Sequence, residues 1–116
     1  MRDYIEEDEL YRYLTEHCRE RLNEVELEVA RIFRAEAKAA SSTAKMRYML
    51  RKHWCRTDDP QVQSWLETGR GPFAVAVLNR LQRASAEFRV NRCGDCNRIV
   101  ATPLAQQCLW CGNTWR

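Results

Sequence analysis

The sequence predicts a mainly α-helical protein: a helical bundle of about four helices with a long first helix, followed by a small C-terminal β module. Residues 7–40 contain no glycine or proline and are rich in strong helix formers. Further helix start and stop signals recur up to residue 88. Residues 92–116 differ, because four of the six cysteines lie there as two pairs. We therefore expect a helical domain over residues 1–88 and a second module over residues 89–116.

The first helix is predicted from apolar and small side chains that alternate at four- and three-residue spacing, a heptad-type seam. A single helix of about 32 residues would be about 48 Å long, more than a small domain needs. Either later helices of the same chain cover the seam, or two copies associate through it. A break near His17 would instead give two shorter helices. The seam consists of Tyr11, Thr15, Cys18, Leu22, Val25, Val29 and Ile32.

Three later helices are predicted from their capping signals. The first covers residues 44–55, and Ser42 or Thr43 is placed to cap its N-terminus. The second covers residues 60–68, because an aspartate N-cap precedes a proline at the first helical position and a glycine follows the end. The third opens at a proline and covers residues 72–88. Together with the long first helix they form the predicted bundle.

Composition and charge narrow the class of protein. The 116 residues are 45% apolar and 30% charged, as in soluble globular proteins, and no apolar run approaches the roughly 18 residues of a membrane span. The acidic N-terminus lacks the apolar segment of a secretory signal, which favours the cytoplasm. Residues 1–40 carry 11 acidic and 7 basic residues, whereas residues 70–116 carry 7 arginines and 2 acids. The net charge of +3 is too small to indicate nucleic-acid binding by itself.

The two cysteine pairs predict a metal site. Cys93-Gly-Asp-Cys96 and Cys108-Leu-Trp-Cys111 each have the two-residue spacing that lets two thiolates converge on one ion. Four such ligands complete the coordination shell of a structural Zn²⁺, although four thiolates also accept iron. Two disulfides are the alternative, but disulfides are rare in the cytoplasm. Short strands over residues 89–92, 98–102 and 113–115 are expected to flank the pairs.

At these residues the chain resembles the short bacterial four-cysteine zinc ribbons. The resemblance covers about a fifth of the chain and implies a structural zinc held by the four cysteines, with no specific activity. Asn97 stands where the family has a glycine, a substitution that the left-handed preference of asparagine tolerates. Ran-binding-type RNA-binding fingers and rubredoxin-like iron sites match the spacing less well. The matching residues are Cys93, Cys96, Ile99, Pro103, Ala105, Cys108, Cys111 and Gly112.

No catalytic constellation is recognisable, and four filled thiolate positions leave no open site on the ion, so we expect no enzyme activity. His17-Cys18 and His53-Trp-Cys55 are too far apart along a helical hairpin to form a second metal site. We interpret their thiols as buried core groups and their histidines as ordinary ones.

We therefore predict a cytoplasmic protein-interaction or adaptor module with a structural zinc, which binds a protein partner or itself through the long first helix. No membrane or small-molecule substrate is expected. The alternative is a nucleic-acid-binding regulatory protein that uses the arginine-rich C-terminal half, with tryptophans stacking on bases. Packing against the ribbon or the helices is the competing interpretation of the tryptophans. The candidate nucleic-acid contacts are Arg80, Arg83, Arg89, Arg92, Arg98, Trp110 and Trp115.

Overall fold

A computed structural model describes residues 3–55 and 57–115 of the chain. Five α-helices and a short 3₁₀ turn (Arg19–Arg21) lie in this part. The helices are α1 (Glu6–His17), α2 (Glu24–Ala40), α3 (Ala44–His53), α4 (Pro60–Thr68) and α5 (Arg70–Ala84). Among the described residues, no helix combines the length and apolar character that a membrane crossing requires.

The chain divides into two compact units. Unit 1 combines residues 1–21 with residues 71–116, and unit 2 consists of residues 22–70. Unit 1 therefore contains α1, nearly all of α5 and the cysteine-rich C-terminal module, whereas unit 2 contains α2, α3 and α4. The predicted division into residues 1–88 and 89–116 stays a prediction.

The prediction of one long first helix is wrong, because α1 ends at His17 and α2 begins only at Glu24. The alternative of a break near His17 that gives two shorter helices matches the structure. The physical reason is a capping box at the start of α2. The Asn23 side chain accepts a hydrogen bond from the Glu26 backbone N–H at 2.8 Å, and the Glu26 carboxylate accepts one from the Asn23 N–H at 3.0 Å. Asn23 itself has extended backbone angles, which a continuous helix would not allow.

The Asn23→Ala substitution is expected to lower the free energy of unfolding by about 1 kcal/mol, because it removes the acceptor that caps α2. Urea denaturation of the metal-loaded protein, followed by circular dichroism, measures this change. Asn79→Ala is the matched control, since Asn79 is exposed within α5 and alanine is the better helix former there. An equal loss in both variants would contradict the capping role.

Other helices of the same chain cover the part of the heptad seam that lies on α2. Val29 and Ile32 are fully buried, and α2 packs against both α3 and α4 in unit 2. This matches the alternative in which later helices cover the seam. Self-association stays a prediction, but the continuous long helix through which it was expected is not present.

The helical core of unit 1 is formed by α1 and α5. The Tyr11 and Phe73 rings lie 6.1 Å apart, which joins the two helices. The first half of α5 is apolar, so side chains from successive turns of this helix can pack into the core. The buried residues of the two helices are Leu10, Tyr13 and Leu14, with Phe73, Ala74, Val77 and Leu81.

The predicted capping signals of the later helices are confirmed. The Thr43 hydroxyl accepts a hydrogen bond from the Met46 N–H at 3.3 Å, and the Asp59 carboxylate accepts one from the Gln61 N–H at 2.8 Å. The last helix differs from the prediction, because α5 spans Arg70–Ala84 and not residues 72–88. Gly69, at φ 106°, is the C-cap of α4, in a region that only glycine adopts readily.

The prediction of a C-terminal β zinc ribbon is also wrong. The described residues contain no strand there, only two isolated antiparallel bridges, Arg92 with Ile99 and Gln107 with Thr114. The Asn91 N–H, next to the first bridge, donates to the Tyr13 hydroxyl at 3.1 Å and is therefore not available for a further ladder bond. The Asn91 amide donates to the carbonyl oxygens of Thr102 and Ala105, both at 3.1 Å, and thereby holds the segment between the cysteine pairs in a turn.

Candidate metal centre

The four cysteines of the C-terminal module converge on one point. Their sulfur atoms all lie within 4.8 Å of one another. Cys93 and Cys108 are buried, Cys96 is half-buried and Cys111 is exposed. The site is therefore buried in the module at Cys93 and Cys108 and accessible to solvent at Cys111.

The sulfur spacing fits a tetrahedral four-thiolate metal site. A Zn–S bond is about 2.3 Å, so the edges of a regular tetrahedron of sulfurs are about 3.8 Å. Cys93 Sγ lies 3.6 Å from Cys111 Sγ, and Cys96 Sγ lies 3.6 Å from Cys108 Sγ. A disulfide would need about 2.05 Å. All six cysteines are free thiols, so the four-sulfur cluster could hold a metal ion.

The two cysteine turns have the same backbone structure, repeated after 15 positions. In the first turn, the Cys93 N–H donates to the Arg98 carbonyl at 2.9 Å and the Cys93 carbonyl accepts from the Asn97 N–H at 2.9 Å. In the second, Cys108 makes the same two bonds with Asn113 and Gly112, at 2.8 and 2.9 Å. Sequence reasoning missed this repeat. Its signal in the sequence is that the second cysteine pair follows the first at an offset of 15 residues.

Asn97 and Gly112 close these turns with positive φ angles of 61° and 80°. The expectation that Asn97 tolerates the left-handed conformation is therefore confirmed. Glycine and asparagine serve the same purpose here, since each returns the chain toward the cysteine that opened the turn.

Backbone N–H groups stabilise negative charge on the buried sulfurs. Cys93 Sγ accepts from the Cys96 N–H at 3.4 Å and from the Asp95 N–H at 3.3 Å. These hydrogen bonds, with that from Cys96 the larger effect, lower the pKa of the Cys93 thiol to about 6. Cys108 Sγ accepts from the Trp110 N–H at 3.4 Å, in the equivalent position of the second turn. The first turn thus favours the thiolate of Cys93, the form that binds metals.

A small apolar cluster surrounds the sulfurs. Val100 is buried together with Cys93 and Cys108, and Trp110 and Trp115 pack against this group. The Trp110 indole N–H also donates to the Ile99 carbonyl at 3.2 Å. The two tryptophans are half-buried, which agrees with their interpretation as packing residues.

Two tyrosines from the N-terminal part of unit 1 hold the module. The Tyr4 hydroxyl accepts from the Ile99 N–H at 3.0 Å, and its ring meets Trp110 edge-on at 5.0 Å. The Tyr13 hydroxyl accepts from the Asn91 N–H at 3.1 Å, and burial raises the pKa of Tyr13. Sequence reasoning missed both tyrosines. They lie 95 and 78 positions from their partners, and no local spacing signals such a contact.

An ion pair adds to this attachment. The Arg92 guanidinium donates to both carboxylate oxygens of Glu6, at 2.9 and 2.5 Å, and this bond lowers the pKa of Glu6. The Glu6 side chain is 47% exposed, so solvent screens the pair and its contribution to stability is small. Tyr4 also donates to Glu6, which links the ion pair to the first of the two tyrosines.

The Tyr13→Phe substitution is expected to lower the free energy of unfolding of the metal-loaded protein by about 1 kcal/mol, because the Asn91 N–H loses its acceptor. The midpoint of urea denaturation measures the loss. Tyr48→Phe is the matched control, since Tyr48 is 63% exposed on α3, and its effect is expected to stay below about 0.5 kcal/mol. Equal shifts of the two midpoints would show that the Tyr13 hydroxyl does not hold the module.

The candidate nucleic-acid contacts are largely engaged within the chain. Arg80 donates to the Arg21 carbonyl at 2.9 Å, and Arg89 donates to the Ala86 carbonyl at 2.7 Å. Arg98 lies over the Tyr4 ring, 5.4 Å from its centroid. Arg83 is exposed. The structure thus gathers Arg92, Arg98 and Trp110 around Tyr4. Trp115 packs with Trp110 against the cysteine cluster, and the other candidates lie elsewhere in unit 1.

The two other cysteines do not join a metal-binding group. Within residues 3–55 and 57–115, the four-cysteine cluster is the one group of three or more potential ligands close enough to share an ion. Cys18 is buried, and burial raises the pKa of its thiol. Cys55 is half-buried, and burial, followed by a hydrogen bond with Glu36, raises its thiol pKa.

Comparison of the chain with protein-family models, with curated protein sequences and with solved structures found no match. The resemblance to short zinc ribbons therefore stays a prediction from the cysteine spacing. The geometry alone defines a class: a helical protein with a C-terminal four-cysteine cluster able to hold a metal ion.

Proposed function

We propose that this chain is a small zinc-binding adaptor, in which Cys93, Cys96, Cys108 and Cys111 hold a structural Zn²⁺ and the protein acts by binding another protein. The observation that carries the proposal is the convergence of the four sulfurs within 4.8 Å. Four thiolates fill the tetrahedral shell of zinc, so no position is left for a substrate or a reactive water. The ion then takes the place of a larger core, which a segment of this size cannot build.

Metal analysis of the purified protein tests the first half of the proposal. We expect one zinc per chain and a colourless protein, because Zn²⁺ has a filled d shell whereas an iron–thiolate site is strongly coloured. Stoichiometric iron would replace zinc in the proposal. Protein purified under reducing conditions with no bound metal, and unable to take up Zn²⁺, would overturn it.

A protein partner is favoured over nucleic acid by the surface of the module. Leu104 and Leu109 are 89% and 72% exposed, so apolar groups, which suit protein contacts, stand out from it. Nucleic acid would instead need free cations, and Arg92 and Arg98 already contact Glu6 and the Tyr4 ring. We place the protein in the cytoplasm, where paired cysteines bind metals more often than they form disulfides.

Affinity capture from an extract of the source cells tests the second half. Capture by the zinc-loaded protein is compared with and without nuclease treatment. We expect proteins retained by the zinc-loaded chain in the presence of nuclease. If retention depends on nucleic acid, and the pure protein binds a synthetic duplex with an affinity that falls steeply from about 50 to 200 mM salt, the nucleic-acid alternative replaces the adaptor.

A further inference from the structure

The outer face of α3 in unit 2 is unusually apolar for an exposed helix. Met46, Tyr48, Met49 and Trp54 are 50%, 63%, 44% and 57% exposed. Met46, Met49 and Leu50 lie at three- and four-residue spacing and therefore share one face of α3, whereas Tyr48 lies outside this face. Clustered exposed apolar side chains of this size mark interaction sites more often than isolated ones do.

This face contains a shallow groove of about 500 Å³. Leu50, which is 8% exposed, is the most buried of its lining residues, and Met46 and Met49 line it as well. Thr43 and Trp54 mark its ends, 11 residues apart, which corresponds to about 16 Å along the helix. That length suits about three turns of a second helix laid along α3. The lining residues are Thr43, Lys45, Met46, Met49, Leu50, His53 and Trp54.

The charge around the groove has one sign. Helix α3 has four lysines and arginines and no acidic residue. Arg51 pairs with Glu36 at 3.6 Å, and Arg47 donates to the Ala39 carbonyl at 3.4 Å. Lys45 and Lys52 have no carboxylate partner among the described residues, and Lys52 lies over the Tyr48 ring at 5.7 Å. Two cations beside the apolar face are thus available to an acidic ligand.

We propose that the α3 groove, defined by the seven residues that line it, binds an acidic amphipathic helix of a partner protein. This deepens the proposed function and rests on its protein-binding half. Apolar side chains of the partner at helical spacing would enter between Met46 and Met49 and against Trp54, and its acidic residues would face Lys45 and Lys52. Methionine side chains adapt to different shapes, and tryptophan is a frequent energetic anchor at interfaces.

The form of the site distinguishes this partner from a membrane or a nucleic acid. A bilayer surface is met by apolar side chains that protrude from a helix, whereas here Met46, Met49 and Trp54 line a hollow that also contains the buried Leu50. Nucleic-acid binding needs a predominantly cationic surface, but Lys45 is the one permanently charged side chain in the groove lining.

Fluorescence anisotropy with designed peptides tests the proposal on the full-length, metal-loaded protein. The probe is a labelled peptide of about 16 residues with leucines at i, i+3, i+4 and i+7 and glutamates on the other face. One control peptide has lysine in place of every glutamate, and a second has the acidic composition in an order without helical periodicity. We expect the acidic helical peptide to bind at least about 10-fold more tightly than either control.

Two variants locate the binding. Met49→Glu is expected to weaken the acidic peptide at least about 10-fold, because it places a like charge in the groove. Gln61→Glu adds the same charge at an exposed position in the first turn of α4 and is expected to leave binding unchanged. Both positions are exposed, so both variants are expected to fold, and circular dichroism with metal analysis verifies this.

The proposal is overturned if the acidic peptide binds no better than its controls, or if the two variants behave alike. It is also overturned if vesicles of mixed neutral and anionic phospholipid, or a single-stranded oligonucleotide, bind in a Met49-dependent manner while the peptide does not. Failure here is distinguishable from failure of the proposed function. None of the four cysteines lies in unit 2, so metal binding is tested separately from the groove. If the Met49→Glu variant still captures the same proteins, the protein acts as an adaptor but does not use this groove.

Discussion

The Cys108→Ser variant is expected to lose stoichiometric metal binding and, with it, the ordered structure of the C-terminal module. Cys108 is fully buried, and its sulfur lies 3.6 Å from that of Cys96 at the centre of the cluster. A serine hydroxyl stays protonated at neutral pH, so the site keeps only three thiolates. In small four-ligand modules, structural zinc contributes about 10–16 kcal/mol of apparent folding free energy. This is far more than the module's few buried side chains can supply.

Metal content per chain and two-dimensional amide NMR spectra together measure this result. We expect the amide signals of residues 91–115 to collapse toward unfolded positions, and those of α1 to shift, because Tyr4 and Tyr13 hold the module. Unit 2 contains none of the four ligands, so the signals of α2, α3 and α4 are the internal reference.

Cys55→Ser is the matched control, because it removes a thiol that is half-buried and outside the cluster. It is expected to keep one metal ion per chain and the spectrum of the intact module. If Cys108→Ser kept the metal with unchanged affinity, the four-cysteine cluster would not be the binding site.

The Phe73→Ala variant is expected to show the second largest effect, a loss of about 3–5 kcal/mol in the free energy of unfolding of the metal-loaded protein. Phe73 is 1% exposed, and its ring faces that of Tyr11 across the contact between α5 and α1. Alanine would leave a cavity that both helices border. Hydrogen exchange in α1 and α5, together with urea denaturation, would report the loss within unit 1.

Val75→Ala on the same helix is the control, since Val75 is 39% exposed. We expect it to change the free energy of unfolding by less than about 0.5 kcal/mol, as surface substitutions usually do. A loss below about 1 kcal/mol in Phe73→Ala, or equal losses in the two variants, would show that Phe73 is not a central core residue.

Local signals in the sequence predicted local structure well. Thr43 and Asp59 cap the helices that they were expected to cap, because a side-chain oxygen needs only a backbone N–H two or three residues away. The four cysteines converge for a similar reason, since each pair is closed by a short turn of its own chain. The left-handed Asn97 belongs to the same group of local effects.

The error in the first helix shows where a local signal was overlooked. Asn23 and Glu26 stand three positions apart before an apolar run, which is the sequence pattern of a capping box. The heptad seam suggested continuity, because apolar periodicity can persist across a short interruption between two helices. The capping hydrogen bonds decided the matter in favour of two helices.

The sequence by itself determined the positions of most helix starts, the four potential ligands and the turn conformations that present them. The tertiary structure alone decided that Tyr4, Glu6 and Tyr13 hold the module, and that its extended segments stop at single bridges. The reason is distance along the chain. Caps and cysteine turns join residues within about five positions. The contacts of Tyr4 and Tyr13 join residues 78 to 95 positions apart, and no sequence periodicity encodes that pairing.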